Sequence, residues 1–457
     1  MRSSLSAPHF LVIAVLAVIA LVDVRGQSGA RRVVSKASKE TTRQLTAPRA
    51  PTYYRDVLPI LAQHCVVCHS ADGIAPMAFD TYAAARSYAF VIRNVTQERA
   101  MPPPFAVPLV GRVANDPSLT AAQISTLAAW ANLNTPEGDP HDAPRLPRAS
   151  APWSIAKPDL IVKMPEAVSI PASGNLEYVY QLAPTHFTTG RWIQAAELLP
   201  SARANILQIV VAIRRPDSPW LGHAPLGKSF TSGDQTVAED DHWADDDILI
   251  VYSPGSSAQQ FAANSGKFIP VGADLVFRAQ YITNGVARFD QSSLGLVFSE
   301  HAPARRIVTL ALQADRFTIP PSAPEYRVEA RGVLQTDALL LSFFPVLHLR
   351  GKRFEYDVIP PRAGANRKLP PKFETLLRVN YERRWQASYQ LCVPRILKKG
   401  TELRAVAWYD NSPINPNNPN PDAVVHWGNK PQEEVLEGFF DVAVPTDLDK
   451  STILIRP

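Results

Sequence analysis

Cysteine is scarce, with three residues in a chain of 457. A disulfide-built secreted scaffold is therefore excluded. Methionine is scarcer still relative to length, at four residues, so each thioether is worth locating. Charged residues make up 19% of the chain, somewhat below ordinary globular usage. The formal net charge is +5. Removing residues 1–26 takes away Arg2, Arg25 and Asp23 and leaves +4. Basicity this mild argues against a nucleic-acid partner. No Gly-x-Ser-x-Gly nucleophile turn, Gly-rich phosphate loop, H-x-x-x-H or H-E-x-x-H pair occurs, which removes the commonest hydrolase, nucleotide and zinc-protease signatures. Proline is abundant instead: 42 residues, or about 9% against a usual 5%. That favours β-rich folds and extended linkers over helix bundles. The length allows about three domains.

The most informative stretch is Cys65-Val66-Val67-Cys68-His69. On a helical turn, i and i+3 share a face and i+4 lies close by. Two thiols then point to one partner with an imidazole beneath. C-x-x-C-H in this form reads as attachment of haem c, with thioethers from Cys65 and Cys68 and His69 as proximal iron ligand. A redox disulfide expects a βαβ setting, whereas residues 62–64 end a short helical pattern. A zinc site needs two further soft ligands, and the one other cysteine is Cys392. With Cys65 and Cys68 committed, Cys392 has no partner for a disulfide within the chain.

Phe10 to Val22 is an uninterrupted apolar run, shorter than the ~20 residues of a membrane span. Val24 and Gly26, small residues at the −3 and −1 positions, suit a secretory signal cut near Gly26. The alternative is an uncleaved anchor. Residues 27–50 read as a flexible tether. The expected location is therefore periplasmic or secreted, which agrees with haem c attachment outside the cytoplasmic membrane. Membrane contact follows only if the signal stays uncleaved.

Residues 51–139 read as one small helical domain. Tyr53 to Gln63 is a helix candidate that Pro59 kinks or shortens. A second runs from about Leu119 to Leu133, with Ser118 as N-cap and Leu119, Ile124, Leu127 and Trp130 as its apolar stripe. For the sixth iron ligand, Met101 precedes Pro102-Pro103-Pro104, which hold the loop stiff. Met77 follows His69 by so few residues that little chain remains to cross a haem. Met101 is the preferred ligand, with Met77 or an open site as alternatives. His64 could reach a haem propionate or lie on the surface.

Residues 140–158 read as a Pro-rich linker. Beyond it the pattern is β: Ile206 to Ile213, Ile248 to Tyr252, Ala273 to Ile282, Ile307 to Leu312, Ala338 to Phe344 and Glu402 to Tyr409 are strand-like runs separated by turn residues. A faint repeat, Ile170-Pro171-x-Ser173-x-x-x-Glu177-Tyr178 and Ile319-Pro320-x-Ser322-x-x-Glu325-Tyr326, suggests two tandem sandwiches, residues 159–315 and 316–457. The acidic run Glu239 to Asp247 around His242 lacks calcium-loop spacing and reads as a solvated loop.

Several segments carry a resemblance. They are His64 to Pro76, Met101-Pro102-Pro103, Leu349 to Lys352, Trp385-Gln386-x-x-Tyr389, Tyr409 to Ser412, Asn415 to Pro419 and Trp427-Gly428. From about 51 to 445 the chain resembles bacterial proteins that join a cytochrome c to the copper type II, ascorbate-dependent monooxygenase fold of peptidylglycine α-hydroxylating monooxygenase and dopamine β-monooxygenase. The resemblance implies a multidomain chain: an all-α class I cytochrome c domain followed by two tandem all-β jelly-roll-like sandwiches. It also implies two coppers. The six ligand positions fall on Leu207, Gln208, Gln280, Val346, His348 and Val435, of which His348 alone keeps its ligand type. Imidazole and thioether hold copper in such sites. Both copper sites are therefore expected to be lost, with His348 left as a hydrogen-bonded residue in a sandwich interior.

Three functions follow as expectations. The first is an exported haem c electron carrier whose β part serves binding or docking, with a redox protein of the periplasm or extracellular space as partner. The second is a haem-coupled oxidoreductase acting on a small substrate in the β part. The third is a copper-dependent ascorbate-type monooxygenase.

Overall fold

The computed structural model describes residues 49–103, 106–107, 112–144, 153–174, 176–231, 246–256, 258–361, 373–428, 430 and 432–456. The apolar run at 10–22, the tether up to 48, much of the 140–158 linker and His242 lie outside the described residues. Ala50–Pro457 forms one compact unit.

The helices come first: α1 Leu58–His64, α2 Tyr82–Ser87, α3 Ala89–Gln97 and α4 Ala121–Asn132. The first-half strands are β1 Leu160–Lys163, β2 Val168–Ile170, β3 Val179–Pro184, β4 Arg191–Leu199, β5 Ile206–Arg214, β6 Ser229–Thr231, β7 Asp247–Tyr252, β8 Gln259–Gln260, β9 Ser265–Ile269, β10 Asp274–Tyr281, β11 Arg288–Asp290 and β12 Ser293–Phe298. The second half holds β13 Arg305–Ala314, β14 Thr318–Ile319, β15 Tyr326–Leu334, β16 Ala338–Val346, β17 Gly351–Ile359, β18 Glu374–Asn380, β19 Tyr389–Leu397, β20 Glu402–Tyr409, β21 Val425–His426, β22 Leu436–Pro445 and β23 Leu454–Ile455.

A nine-stranded sheet runs β1-β12-β4-β9-β13-β22-β16-β19, with β8 beside β4. Strands of the first half meet those of the second through a short parallel pairing of β9 with β13, Ser265 opposite Arg305. Two five-stranded sheets, β6-β3-β10-β5-β7 and β18-β17-β20-β15-β23, complete the layers. One core holds Ile209, Val211, Leu275 and Phe277 against Ile193, Leu294 and Leu296. A second holds Leu310, Phe343 and Phe440 against Phe354, Tyr356 and Leu403. A third cluster lies between the halves, joining Tyr180, Val210 and Val276 to Ala311, Phe344 and Phe439. The sheet containing β5 is thus covered on both faces. That explains why β5, the run ILQIVVAI, is apolar almost throughout instead of alternating.

The repeated Ile-Pro-x-Ser motif occupies corresponding places. Ile170 ends β2, which pairs with β11, and Ile319 ends β14, which pairs with β21. In each half the motif leads into a long strand, β3 or β15.

The expectation of an all-α class I cytochrome c domain standing ahead of the β part is corrected. The chain is 40% strand and 13% helix, and the four helices have only 7, 6, 9 and 12 residues. The physical reason lies after α3. Leu119 and α4 return to a helical cluster with α1 and α3, but the stretch before them, with Ala106 and Val113, joins the second β core. Val107 N donates to Arg378 O at 2.9 Å, Ala114 N to Gln390 O at 2.7 Å, and Cys392 N to Arg112 O at 3.0 Å. Val113 bridges to Leu391 and is buried in that core. Sandwich-like layering of the β part agrees with the sheets.

Local chemistry sets the helix ends. Tyr53–Val57 is a π-helical turn leading into α1, and Pro59 sits in the first turn of α1, where its missing N–H breaks no helical bond. The N-cap of α4 is Thr120, not Ser118. Thr120 and Gln123 form a reciprocal capping box, while Ser118 N is held by Asp116.

Candidate functional site

The pentapeptide follows α1 directly. It is a turn, not part of a continuing helix, although one helix-like bond remains, from His69 N to Cys65 O at 2.8 Å. Cys65 caps α1, its N–H donating to Leu61 O. Both thiols are free and partly buried. Burial, with Cys68 beside it, pushes Cys65 up to about 12, and burial also raises Cys68. Both are therefore thiols, not thiolates, at neutral pH.

His69 is held from two sides. Its Nδ1 lies 2.9 Å from Met77 O. A carbonyl only accepts, so Nδ1 carries the proton and Nε2 keeps its lone pair. The ring stacks on Phe79, centroids 4.5 Å apart and planes 13° off parallel. Burial lowers the His69 pKa, favouring the neutral imidazole. An oriented imidazole with Nδ1 tied to a carbonyl is the usual preparation for metal ligation through Nε2.

The loop after the motif folds back tightly. Ala75 N donates to Cys68 O at 3.1 Å, and Phe79 N to His69 O at 2.8 Å. Gly73 makes this possible: a Cβ there would lie 1.9 Å from Cys68 O.

Cys65, Cys68 and His69 are the residues that would hold a haem c. Among the described residues, no group of three or more His, Cys, Asp and Glu is placed to hold a metal ion. Cys65, Cys68 and His69 therefore do not converge as zinc ligands would.

Of the methionines, Met77 is partly buried against the helical core and acts on His69 through its carbonyl. Met101 lies just beyond α3, its N–H donating to Val95 O at 3.1 Å. It is 42% exposed, so its thioether remains available to a ligand. His64 is neither a surface residue nor free to reach a propionate. Its Nδ1 donates to Pro117 O at 2.9 Å and its Nε2 meets the Gln123 amide at 3.0 Å, tying α1 to the start of α4.

The six expected copper positions lie in the β layers. Leu207, Val346 and Val435 are buried, the last two in the cluster between the halves. Gln208 faces Gln280 across the β5–β10 ladder and donates to Gln386 O at 3.2 Å. Gln280 and His348 line one cavity with Tyr178 and Arg383, of about 10 Å³, room for about one water. His348 Nδ1 donates to Glu433 O at 2.9 Å, and burial lowers its pKa to about 4. Below it, Glu434 accepts from the backbone N–H groups of His348 and Arg350 at 3.0 and 2.6 Å. Of the acidic run, Asp247 pairs with Arg306 at 2.9 Å and Lys450 at 3.1 Å. Asp246 accepts from Ser218 at 2.6 Å. These two carboxylates are buried struts rather than parts of a solvated loop.

No family model matches the chain, and no curated protein matches it. Among solved structures, it is similar to a protein from Eubacterium rectale provisionally described as secreted, at 9% identity over 61% of this chain and 69% of that one, TM-score 0.17. It is also similar to a structure of infectious bursal disease virus, Gx strain, at 6% identity over 66% and 76%, TM-score 0.18. Values this low carry no argument about fold or function.

The resemblance to cytochrome–copper monooxygenase fusions is thereby overturned. It rested on short segments that no family or relative extends over the chain. The leading α domain is missing as such, and the six positions supply one imidazole, already bonded, among apolar and amide side chains. Among the described residues no helix is long and apolar enough to cross a membrane.

Proposed function

We propose that this protein is an exported electron carrier with one haem c, bound through Cys65 and Cys68, with His69 Nε2 and Met101 as axial ligands. The reading rests on the motif and its setting, not on a family. The observation that carries it is the 2.9 Å contact of His69 Nδ1 with Met77 O, which leaves Nε2 unprotonated in a motif whose two thiols are free. Haem, when bound, supplies one-electron transfer. The chain does the rest: the Met77 carbonyl holds the tautomer, Phe79 fixes the ring plane, and the Gly73 turn keeps both in register with the thiols. Of the six expected copper positions, His348 alone carries an imidazole. The apolar run at 10–22 supports export to the periplasm or beyond, where a redox protein would be the partner.

The test is expression with a haem c maturation system, followed by reduced-minus-oxidised spectroscopy and exchange with a small soluble electron-transfer protein. Reversible one-electron cycling is expected. A purified protein that carries haem but turns over a small substrate with an artificial acceptor would instead favour an oxidoreductase.

A further inference from the structure

The Cys65–His69 turn is not enclosed by the helices alone. The loop after β7 lies against it. A methyl group placed on Gly255 would sit 3.6 Å from Val67 Cγ1 and 3.8 Å from Cys68 Sγ. Tyr252, the last residue of β7, shares a cavity with Val67 of that turn. A cavity of about 70 Å³ opens here, with Val67, Leu198, Ile250, Tyr252 and Gly255 among its walls. Glu197 also lines it, but its carboxylate is engaged by Ser154 N at 2.6 Å and Ser154 Oγ at 2.9 Å. The loop is braced by its own bonds, Ser256 N to Ser253 O at 2.8 Å and Ser253 N to Ser256 Oγ at 3.1 Å. Gly255 has φ of +85°, a conformation that favours glycine.

We infer that the Tyr252–Ser256 loop of the β part is a wall of the haem site, packing against the thioether edge of a haem attached at Cys68. This rests on the haem reading above. A group bonded to Cys68 Sγ begins within van der Waals range of the Gly255 position. A space of about 70 Å³ is too small for a whole cofactor, which needs several hundred Å³, but takes an apolar edge. Its walls are mixed, with Glu197 and Arg203 beside Leu198, Leu199 and Ile250, and it is the approach to Cys68 Sγ that places the thioether-bearing edge here. Gly255 leaves the gap that the edge fills, and Tyr252 lines the same cavity. Both are positioning residues. The β part then belongs to the cofactor site and is not merely tethered to it.

The experiment compares Gly255→Ala in two backgrounds: haem-loaded protein and a haem-free Cys65→Ser/Cys68→Ser chain. The backbone strain of a side chain at positive φ is common to both, so any difference reports the haem contact. Haem-loaded protein should lose at least tenfold more of its folding constant in urea titrations than the haem-free chain. A second variant, Tyr252→Ser in haem-loaded protein, should lower the midpoint potential by admitting water to the edge. Equal losses in the two backgrounds together with an unchanged potential, in a wild type that carries haem, would overturn this inference and leave the haem reading standing. A wild type with no covalent haem would overturn both.

Discussion

His69 Nδ1 and the carbonyl oxygen of Met77 lie 2.9 Å apart, and this one contact gives the imidazole its direction. Without it the two tautomers would compete. With it, Nε2 faces away from the loop as a lone-pair donor. The residue that orients the ring is eight positions downstream and acts through its backbone, so its side chain is free to be core.

This separates the two candidate methionines. Met101→Ala should abolish the far-red charge-transfer band of the ferric haem and lower the midpoint potential. Met77→Ala should keep the band, because the carbonyl remains, and should cost about 2–3 kcal/mol through lost packing. The reverse pattern would assign Met77 as the ligand.

Gly73 is the tightest point of the site. With Cys68 O only 1.9 Å from any Cβ, Gly73→Ala must open the turn that returns Ala75 to Cys68. A loss of roughly 1–3 kcal/mol is expected, read as a lower urea midpoint, together with a perturbed haem spectrum. An unchanged spectrum would show that the turn does not position His69.

Where the two β halves join, Lys267 of β9 is buried, its side chain 1% exposed and paired with Asp441 of β22 at 3.0 Å. It also donates to Thr309 Oγ1 at 3.2 Å. Asp441→Asn leaves an ammonium in the core without its counter-charge. The expected cost is about 3–5 kcal/mol, measured by urea unfolding. A Lys267→Met/Asp441→Leu double variant should lose less than Asp441→Asn.

The His348–Glu434 pair gives a pH signature. Burial raises Glu434 to about 7, so its contribution is greatest below the unfolded carboxylate range and declines as pH rises towards 7. Burial lowers His348 to about 4, so its contribution is greatest above the unfolded imidazole range and declines as pH falls towards 4. Between about pH 4.5 and 6.5 the two oppose each other. Glu434→Gln should unmask the histidine slope, making stability fall visibly with acid below pH 6.5 or so. Urea midpoints from pH 4.5 to 8 check this. A flat profile in the variant would place His348 outside the linkage.

Some of this was legible in the residues. The apolar run Ile206 to Ile213 marked a strand, which the structure places at β5. The repeated Ile-Pro-x-Ser motif falls at the ends of β2 and β14. What failed was what depends on distant partners. Val107 binds β18 and residues 112–114 bind β19, with Val113 bridging to Leu391, and nothing near Val113 announces a strand nearly three hundred positions away. That pairing turned an expected separate α domain into one side of a β structure. Helices α2 and α3 escaped notice because Tyr82, Tyr88, Phe90 and Val91 are residue types that favour strands. Gly255 carries no local signal at all, since its role comes from facing Val67 and Cys68.

The account stands most directly on covalent haem. Purified protein from a host with haem c maturation should retain its colour through acid-acetone extraction, give one haem per chain in the pyridine assay, and lose it in Cys65→Ser/Cys68→Ser. Haem that leaves with the solvent, or a colourless wild type under those conditions, would contradict it.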